Sequence, residues 1–174
     1  MLTRVLGAIV ALLALEAIVF AVLVGLGVYD VAATSPHTAF GRWLLDAVQR
    51  RSVAVRAGHP ASPSLDDPSL VLLGASVYGE MCVVCHGAPG VDRGEIGRGL
   101  TPRPPDLARA AHEWSDAQLF WILKHGIKLA GMPAFGRTYD DRTLWGAVAF
   151  VRRLPSLSNA DYRAITASAK NTEK

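Results

Sequence analysis

The chain has 174 residues, which is enough for one compact domain with accessory segments but too few for two large domains. Hydrophobic residues make up 51% of the chain and the mean hydropathy is +0.25, both unusual for a wholly soluble protein. The formal net charge is only +3, and the sequence has no long charged run and no basic segment interleaved with aromatic residues. Nucleic acid is therefore not expected as a partner.

The excess hydrophobicity is concentrated in residues 5–28, VLGAIVALLALEAIVFAVLVGLGV, where Glu16 is the single charged residue. As a helix that rises ~1.5 Å per residue, this segment spans roughly 36 Å, enough to cross a hydrocarbon core of ~30 Å. A cleaved secretory signal, with residues 31–33 as the cleavage site, is the alternative, but the apolar core is about twice the usual ~7–15 residues. We therefore predict an uncleaved transmembrane anchor over residues 1–30.

The charges in and before this anchor bear on its orientation and contacts. Only Arg4 and the α-amino group precede the apolar segment, so the positive-inside rule leaves the rest of the chain outside the cytoplasm. Glu16 would lie within the membrane, where an ionised carboxylate costs a few kcal/mol. It therefore either contacts another membrane subunit or is protonated and hydrogen-bonds its own helix.

Residues 31–67 are predicted to form an amphipathic connecting helix and a linker. Ser35 and Pro36 supply an N-cap followed by proline at the first helical position, and the Pro/Ser-rich residues 58–67 form the linker. The helix either packs on the following domain or lies among lipid headgroups; we expect packing, because its arginines do not clearly line one face. The apolar residues at helical spacing are Phe40, Trp43, Leu44, Ala47, Val48 and Val55.

From residue 68 onward the patterns predict helices and no strand of useful length. Asp67 and Pro68 begin a helix that runs into Cys82. Ser115 and Gln118 form a capping box for a second helix, and a third runs from residue 140 or 141 to residue 155.

Residues 68–157 are thus expected to be one all-α domain, followed at 158–174 by a short helix and a polar tail. The long Gly/Pro loops at 87–111 and 126–138 fit such a domain if a large apolar cofactor supplies part of its core.

The only two cysteines of the chain occur in Cys82-Val83-Val84-Cys85-His86, the CxxCH pattern of covalent haem attachment. Two thiols three residues apart on a helical turn can reach one edge of a porphyrin, with His86 beneath the iron. A zinc site would need about four ligands, and a thioredoxin-type dithiol would need a βαβ context. Neither condition is met, so we predict one haem c attached through Cys82 and Cys85, with His86 as the proximal iron ligand.

Met132 is the main candidate for the distal ligand. It lies in a loop, residues 131–136 (GMPAFG), whose glycines and proline can hold a side chain over a flat group. A buried methionine is more often simple packing, but a thioether suits the iron of a low-spin electron carrier. His125 is the main alternative, and His112 is a further one.

Together these residues resemble a class I bacterial c-type cytochrome over residues 68–154. The matching features are the CxxCH motif with Gly87 after it, Gly126 six residues before residues 132–136, and residues 147–154 (AVAFVRRL). The resemblance implies helices wrapped around one haem, with the first and last helices crossing near-perpendicularly. The residues implied at this crossing are Gly74 and Tyr78 on the first helix, with Trp145 or Ala147, and Phe150, on the last.

The resemblance also implies roles for residues around the haem. A proline carbonyl accepts a hydrogen bond from the proximal imidazole in this family, and Pro105 resembles that proline. Trp114 and Trp121 are candidates either for donating a hydrogen bond to a haem propionate or for packing in the haem pocket.

With His86 and Met132 both on the iron, no position stays open for oxygen, peroxide or a small-molecule substrate. We therefore expect one-electron transfer, without an enzymatic reaction of its own, by a membrane-tethered carrier between respiratory-chain components. Its partners would be redox proteins: a quinol-oxidising complex, a terminal oxidase or a dehydrogenase. The expected location is a bacterial inner membrane, crossed once, with the haem domain on the periplasmic side.

Two alternatives remain open. The chain could be a fixed cytochrome c subunit of a larger membrane oxidase or dehydrogenase, in which case Glu16 and the connecting helix would provide contacts. It could also be a haem-based sensor or a peroxidase-like enzyme, which would require Met132 to be absent from the iron.

Overall fold

The computed structural model describes residues 1–172, which form helices joined by turns and loops without any strand, as expected for the all-α class. The chain divides into two compact units, Met1–Ser35 and Pro36–Lys174. Glu173 and Lys174, the end of the expected polar tail, lie outside the described residues.

The first unit consists mainly of helix α1, Leu2–Gly25, none of whose residues is buried. Its length and composition would allow it to cross a membrane, and one further helical run, Pro68–His86, meets the same criteria. The second run is 44% buried within the protein, as is usual for the core helix of a folded domain. Helix α1 is thus a candidate single membrane span or signal anchor.

Helix α2, Ala39–Arg56, begins the second unit slightly later than the sequence suggests. Its N-cap is Thr38, whose hydroxyl accepts a hydrogen bond from the Gly41 amide at 3.1 Å. The prediction that Ser35 caps this helix is therefore wrong. The Ser35 hydroxyl instead donates to the carboxylate of Asp30, so it is occupied within the first unit.

Helix α3, Pro68–Val77, is capped by Asp67 as predicted, with the carboxylate accepting from the Ser69 amide at 2.9 Å. It continues without a break through a π-helical turn, Tyr78–Cys82, into helix α4, Val83–His86. A π turn uses i→i+5 hydrogen bonds, so the side chains after it face a different direction from those of a regular α-helix. Such turns are frequent at functional sites, and this one ends at Cys82, the first cysteine of the CxxCH motif.

The remaining elements complete the second unit. The loop expected at 87–111 contains two short helices with Gly94 and Asp106 at their N-caps, and the loop expected at 126–138 contains one 3-10 turn, Phe135–Arg137. Ser115 and Gln118 form the predicted capping box. The elements are helix α5, Glu95–Gly99; helix α6, Leu107–Ala110; helix α7, Asp116–His125; helix α8, Asp141–Arg153; helix α9, Asn159–Thr172; and 3-10 turns at Ala111–Glu113, Phe135–Arg137 and Leu154–Ser156.

Helices α3 and α8 pack with their backbones in direct contact at two glycines. A Cβ atom built on Gly74 would lie 1.9 Å from the carbonyl oxygen of Gly146, and one on Gly146 would lie 3.0 Å from the Leu70 oxygen. No side chain fits at Gly74, and one at Gly146 would be tight, so the partner of Gly74 is chiefly Gly146, together with the backbone of Ala147. Trp145, an alternative partner in the resemblance, stacks instead on Phe120, with ring centroids 4.4 Å apart.

Tyr78 and Phe150 meet at this crossing as the resemblance implies, with ring centroids 5.3 Å apart. Tyr162 of α9 joins them, 6.5 Å from Tyr78 and 6.2 Å from Phe150. Ala169, further along α9, is also buried. Helix α9 is therefore longer than expected, and it is part of the domain core rather than an appendage beyond residue 157.

The α3–α8 contact predicts that substitutions at two glycines of the same helical run will differ strongly in their effect on stability. We expect Gly74→Ala to lower the free energy of unfolding by at least about 2 kcal/mol, because the new methyl group overlaps a backbone that cannot move aside. Gly79→Ala is the matched control: its Cβ would meet only Thr166 Cγ2 at 3.9 Å. Thermal unfolding of the purified proteins measures both, and equal midpoints would contradict the contact.

Candidate haem-binding site

The two cysteines lie at the end of the π turn and inside α4. Cys82 is buried and Cys85 is half-buried. Burial raises the pKa of the Cys82 thiol to about 12, and the nearby Cys85 adds to the effect. A short segment packs tightly over their helix, since a Cβ on Gly97 would lie 2.7 Å from the Cys85 Cα.

His86 is oriented by a single backbone contact. Its Nδ1 lies 2.8 Å from the carbonyl oxygen of Pro105, which is the hydrogen bond that the resemblance implies. A carbonyl oxygen only accepts, so Nδ1 carries the proton and Nε2 keeps a free lone pair in the neutral ring. Burial lowers the pKa of His86, and the charge of Arg93 lowers it further against the opposing effect of the Pro105 hydrogen bond. The imidazole is thus neutral and fixed, as a metal-ligating histidine must be.

The chain turns sharply directly after His86. Gly87 has φ +70°, and a Cβ there would lie 2.9 Å from the Val91 carbonyl oxygen. The buried hydroxyl of Tyr78 donates to the carbonyl oxygen of Gly87 at 2.6 Å. The aromatic cluster at the α3–α8 crossing is therefore connected by one hydrogen bond to the residue that follows His86.

Met132 is held in a loop closed by an isolated β-bridge to Ile127, whose amide donates to the Met132 carbonyl oxygen at 3.1 Å. Two glycines with positive φ shape this loop. Gly126, at φ +66°, leaves no room for a Cβ, which would lie 2.7 Å from the Met132 oxygen, and Gly131, at φ +71°, contacts Leu100. The Met132 side chain is half-buried and packs against the core.

The competing distal residues have different surroundings from Met132. His112 and His125 are exposed, and the His125 ring packs 4.9 Å from the ring of Trp121. Trp121 thus contacts His125 near the end of α7, and its role in the haem pocket stays a prediction. Met81 is exposed and adjacent to Cys82.

Trp114 lies in the segment between α6 and α7, which Arg152 of α8 holds in place. The guanidinium donates to the carbonyl oxygens of Ala111 at 2.7 Å and Trp114 at 2.6 Å, and to Asp116 at 2.6 Å. On its other side Trp114 carries the guanidinium of Arg50, 5.3 Å from the ring centroid. Arg152 thus fixes the backbone of Trp114, while Arg50 covers its half-buried indole.

Two features fit a large, flat and partly anionic group such as haem. Apolar side chains from several elements pack on the core and remain only partly buried, so that a large apolar group could cover them. Arg93 beside His86 has a buried Nε without a hydrogen-bond partner, and a carboxylate could satisfy it. Within residues 107–139, these partly buried side chains are Leu107, Ala108, Trp114, Met132, Phe135 and Tyr139.

A bare metal ion fits these residues less well. Within residues 1–172 there is no cluster of three or more His, Cys, Asp or Glu side chains arranged to hold one. The donor set, two thiols with one neutral imidazole, is the set that haem c uses.

The fold and this set of residues define a c-type cytochrome domain, the class of protein domain that carries electrons on haem c. Residues 70–151 match the family model described as cytochrome c oxidase, cbb3-type, subunit III. The match covers less than half of the chain and leaves α1 and α2 outside it. It includes the CxxCH motif, the Met132 loop and most of α8.

Sequence reasoning missed three residues that matter for this site. Gly146 could have been noticed as an isolated glycine inside a helical pattern, which usually indicates close packing. Arg152 and Arg93 gave no such signal, because each resembles an ordinary surface arginine in the sequence. Only the structure shows the three oxygens that Arg152 binds and the buried Nε of Arg93.

The hydrogen bonds of Arg152 predict that its substitution will cost more stability than substitution of its neighbour Arg153. Arg152→Lys keeps the charge but cannot reach three oxygens at once, so we expect about 1–3 kcal/mol of lost stability and faster amide exchange in residues 111–116. Arg153→Lys is the control, since Arg153 only approaches the exposed Asp66 at 3.4 Å, and its effect should stay below about 0.5 kcal/mol. Chemical denaturation and hydrogen exchange measure the two effects; similar results for both variants would show that the Arg152 contacts do not hold this segment.

Proposed function

We propose that this protein is a membrane-tethered carrier of single electrons, with one haem c attached through Cys82 and Cys85. His86 would be the proximal iron ligand and Met132 the distal one. The observation that best supports this proposal is the orientation of His86, because the Pro105 hydrogen bond fixes the ring with Nε2 free. Both axial positions would then be filled, and the reaction is limited to electron transfer.

Haem c supplies the iron whose oxidation state changes by one electron. The protein's own residues set the conditions for this change. Pro105 holds the proton on His86 Nδ1, and the Ile127–Met132 bridge limits the movement of the distal loop. Trp114 and Phe135 contribute apolar surface that excludes water, which favours the less charged, reduced state of the iron centre.

The membrane tether is supported by α1. Its 24 residues have a mean hydropathy of 2.7 over the best window, and none is buried. A helix this apolar has no favourable environment in water, and a bilayer would provide one. We propose that α1 crosses a bacterial inner membrane once and keeps the haem domain on the periplasmic side, where it exchanges electrons with a quinol-oxidising complex, a terminal oxidase or a dehydrogenase.

A second candidate function is a fixed subunit of a larger membrane oxidase or dehydrogenase. The description of the matching family names an oxidase subunit, which favours this alternative. The carrier and the fixed subunit share the same haem site and differ in whether the chain leaves its partner.

Substitution of Met132 tests the haem site. In Met132→Leu, the oxidised protein should lose the far-red thioether-to-iron charge-transfer band that the family resemblance implies, and its reduction potential should fall, because the thioether favours reduced iron. Met81→Leu, at an exposed position, is the matched control and should change neither. If Met132→Leu keeps the band, or if the reduced wild-type protein binds CO readily, the closed six-ligand site is wrong and a sensor or peroxidase-like role gains support.

Purification from native membranes separates the two functions. Mild-detergent extraction of a free carrier should yield the chain alone, whereas a fixed subunit should co-purify in constant stoichiometry with other redox proteins. The intact mass of the same preparation should include residues 1–30 and one haem. A mass that lacks these residues would indicate a cleaved signal and would overturn the tether.

A further inference from the structure

Helix α2 contacts the rest of its unit through a narrow face. Val53, only 1% exposed, lies on this face, and Arg50 Nη2 forms an ion pair with Glu113 Oε2 at 2.8 Å. Arg50 also lies over the Trp114 ring. These contacts fix α2 to the segment between α6 and α7, which includes Trp114.

A wide apolar face of α2 points away from Val53, and Arg50 lies next to one edge of this face. At 100° per residue, six apolar side chains fall within an arc of about 140°, while Leu45 lies about 60° beyond one edge and Val53 on the opposite side of the helix. Helix α2 packs on the domain as expected, but through Val53 and not through this face: Phe40 is 67% exposed, Trp43 64% and Val48 58%. We name this face the α2 stripe; it comprises Phe40, Trp43, Leu44, Ala47, Val48 and Val55.

The charges on α2 distinguish among possible occupants of the stripe. Arg51 falls inside the arc, and Arg56 lies beyond its edge. The helix has a single acidic residue, Asp46, which lies outside the arc and pairs with Arg50 at 3.0 Å. Across the part of the chain that the structure describes, neither Arg51 nor Arg56 forms an ion pair. The stripe is thus apolar and aromatic, with the single arginine Arg51 among its side chains, a combination that suits the interface of an anionic bilayer.

Because α2 is joined covalently to α1, the bilayer that α1 would occupy is always close to α2. Thirteen residues, 26–38, separate the two helices, and at ~3.3–3.6 Å each they reach at most about 45 Å. A tether of this length keeps α2 at a high effective concentration near the membrane that α1 occupies. Even a weak interfacial affinity would then keep the stripe bound.

We propose that the α2 stripe binds the surface of the anionic lipid bilayer in which α1 is anchored, with Arg51 at the level of the lipid phosphates. This proposal rests on the membrane tether of the proposed function. The long alkyl stem of Arg51 allows its head to reach the phosphates while the neighbouring side chains enter the apolar region. Because Val53 and Arg50 fix α2 to the domain, binding of the stripe would also fix the orientation of the cytochrome domain on the membrane.

Single spin labels on the full-length holoprotein test the proposal. The proposed haem attachment occupies both native cysteines, so each introduced cysteine is unique, and reduction of the iron to its diamagnetic state removes its effect on the label. Three positions are needed: Val48→Cys in the stripe, Ala160→Cys on exposed α9, and Leu13→Cys within α1. Each variant is reconstituted at one copy per nanodisc of phosphatidylcholine and phosphatidylglycerol, and power saturation measures collision with oxygen and with a water-soluble nickel complex.

The Val48→Cys label should collide with nickel at least about threefold less often than the Ala160→Cys label, and with oxygen more often. Nickel collisions equal to those at Ala160→Cys, with Leu13→Cys in lipid, would overturn the proposal and leave the tether intact. A water-exposed Leu13→Cys label would instead overturn the tether. Protection of Val48→Cys only in vesicles with several copies, together with spin–spin broadening, would show that a second copy covers the stripe and would also overturn the proposal.

A charge reversal separates the role of anionic lipid from that of apolar burial. Arg51→Glu in the Val48→Cys background should restore nickel collisions in phosphatidylglycerol discs by at least about twofold, because a carboxylate is repelled by lipid phosphates. Arg163→Glu, on exposed α9, is the matched control and should leave the label protected. If Arg51→Glu leaves the protection unchanged, the placement of Arg51 at the phosphates is wrong.

Discussion

The contact between Gly74 and Gly146 is the constraint on which the rest of the domain depends. Because neither glycine has a side chain, α3 and α8 approach until their backbones touch, and the direction of both helices is fixed at that point. The continuation of α3 carries the CxxCH motif, and the continuation of α8 carries Arg152. One close contact therefore sets the position of the residues proposed to attach haem and of the arginine that holds the Trp114 segment.

A series of specific hydrogen bonds extends this constraint to the candidate site. Tyr78, at the crossing, donates to the carbonyl oxygen of Gly87 and fixes the backbone there. His86, the residue before Gly87, donates to the carbonyl oxygen of Pro105, which fixes its ring. Arg152 fixes the 111–116 segment from one side and Arg50 contacts it from the other. The proposed membrane contact of α2 and the haem site would thus share the same short segment, which gives docking on a membrane a physical route to the cytochrome domain.

The sequence predicted the elements whose determinants are local. The length and apolarity of residues 5–28 indicated α1, the capping signals at Asp67 and Ser115 located two helices, and the CxxCH motif indicated haem c. The hydrogen bond from His86 to Pro105 followed from the family resemblance and is present. It could not follow from local pattern, since nineteen residues separate the two partners.

Other features depended on which surfaces meet. The apolar periodicity of α2 was visible in the sequence, but the side on which it packs was not, because the contact is made by Val53, outside that periodicity, and by Arg50 with a glutamate far away in the chain. Helix α9 looked like a terminal appendage until Tyr162 was found against Tyr78 and Phe150. The sequence by itself determined that this chain has an apolar N-terminal helix and a haem-attachment motif, since both are patterns of neighbouring residues. Only the tertiary structure decided the glycine crossing, the partners of Arg152 and the exposed stripe of α2, because these arise from contacts between residues far apart in the chain.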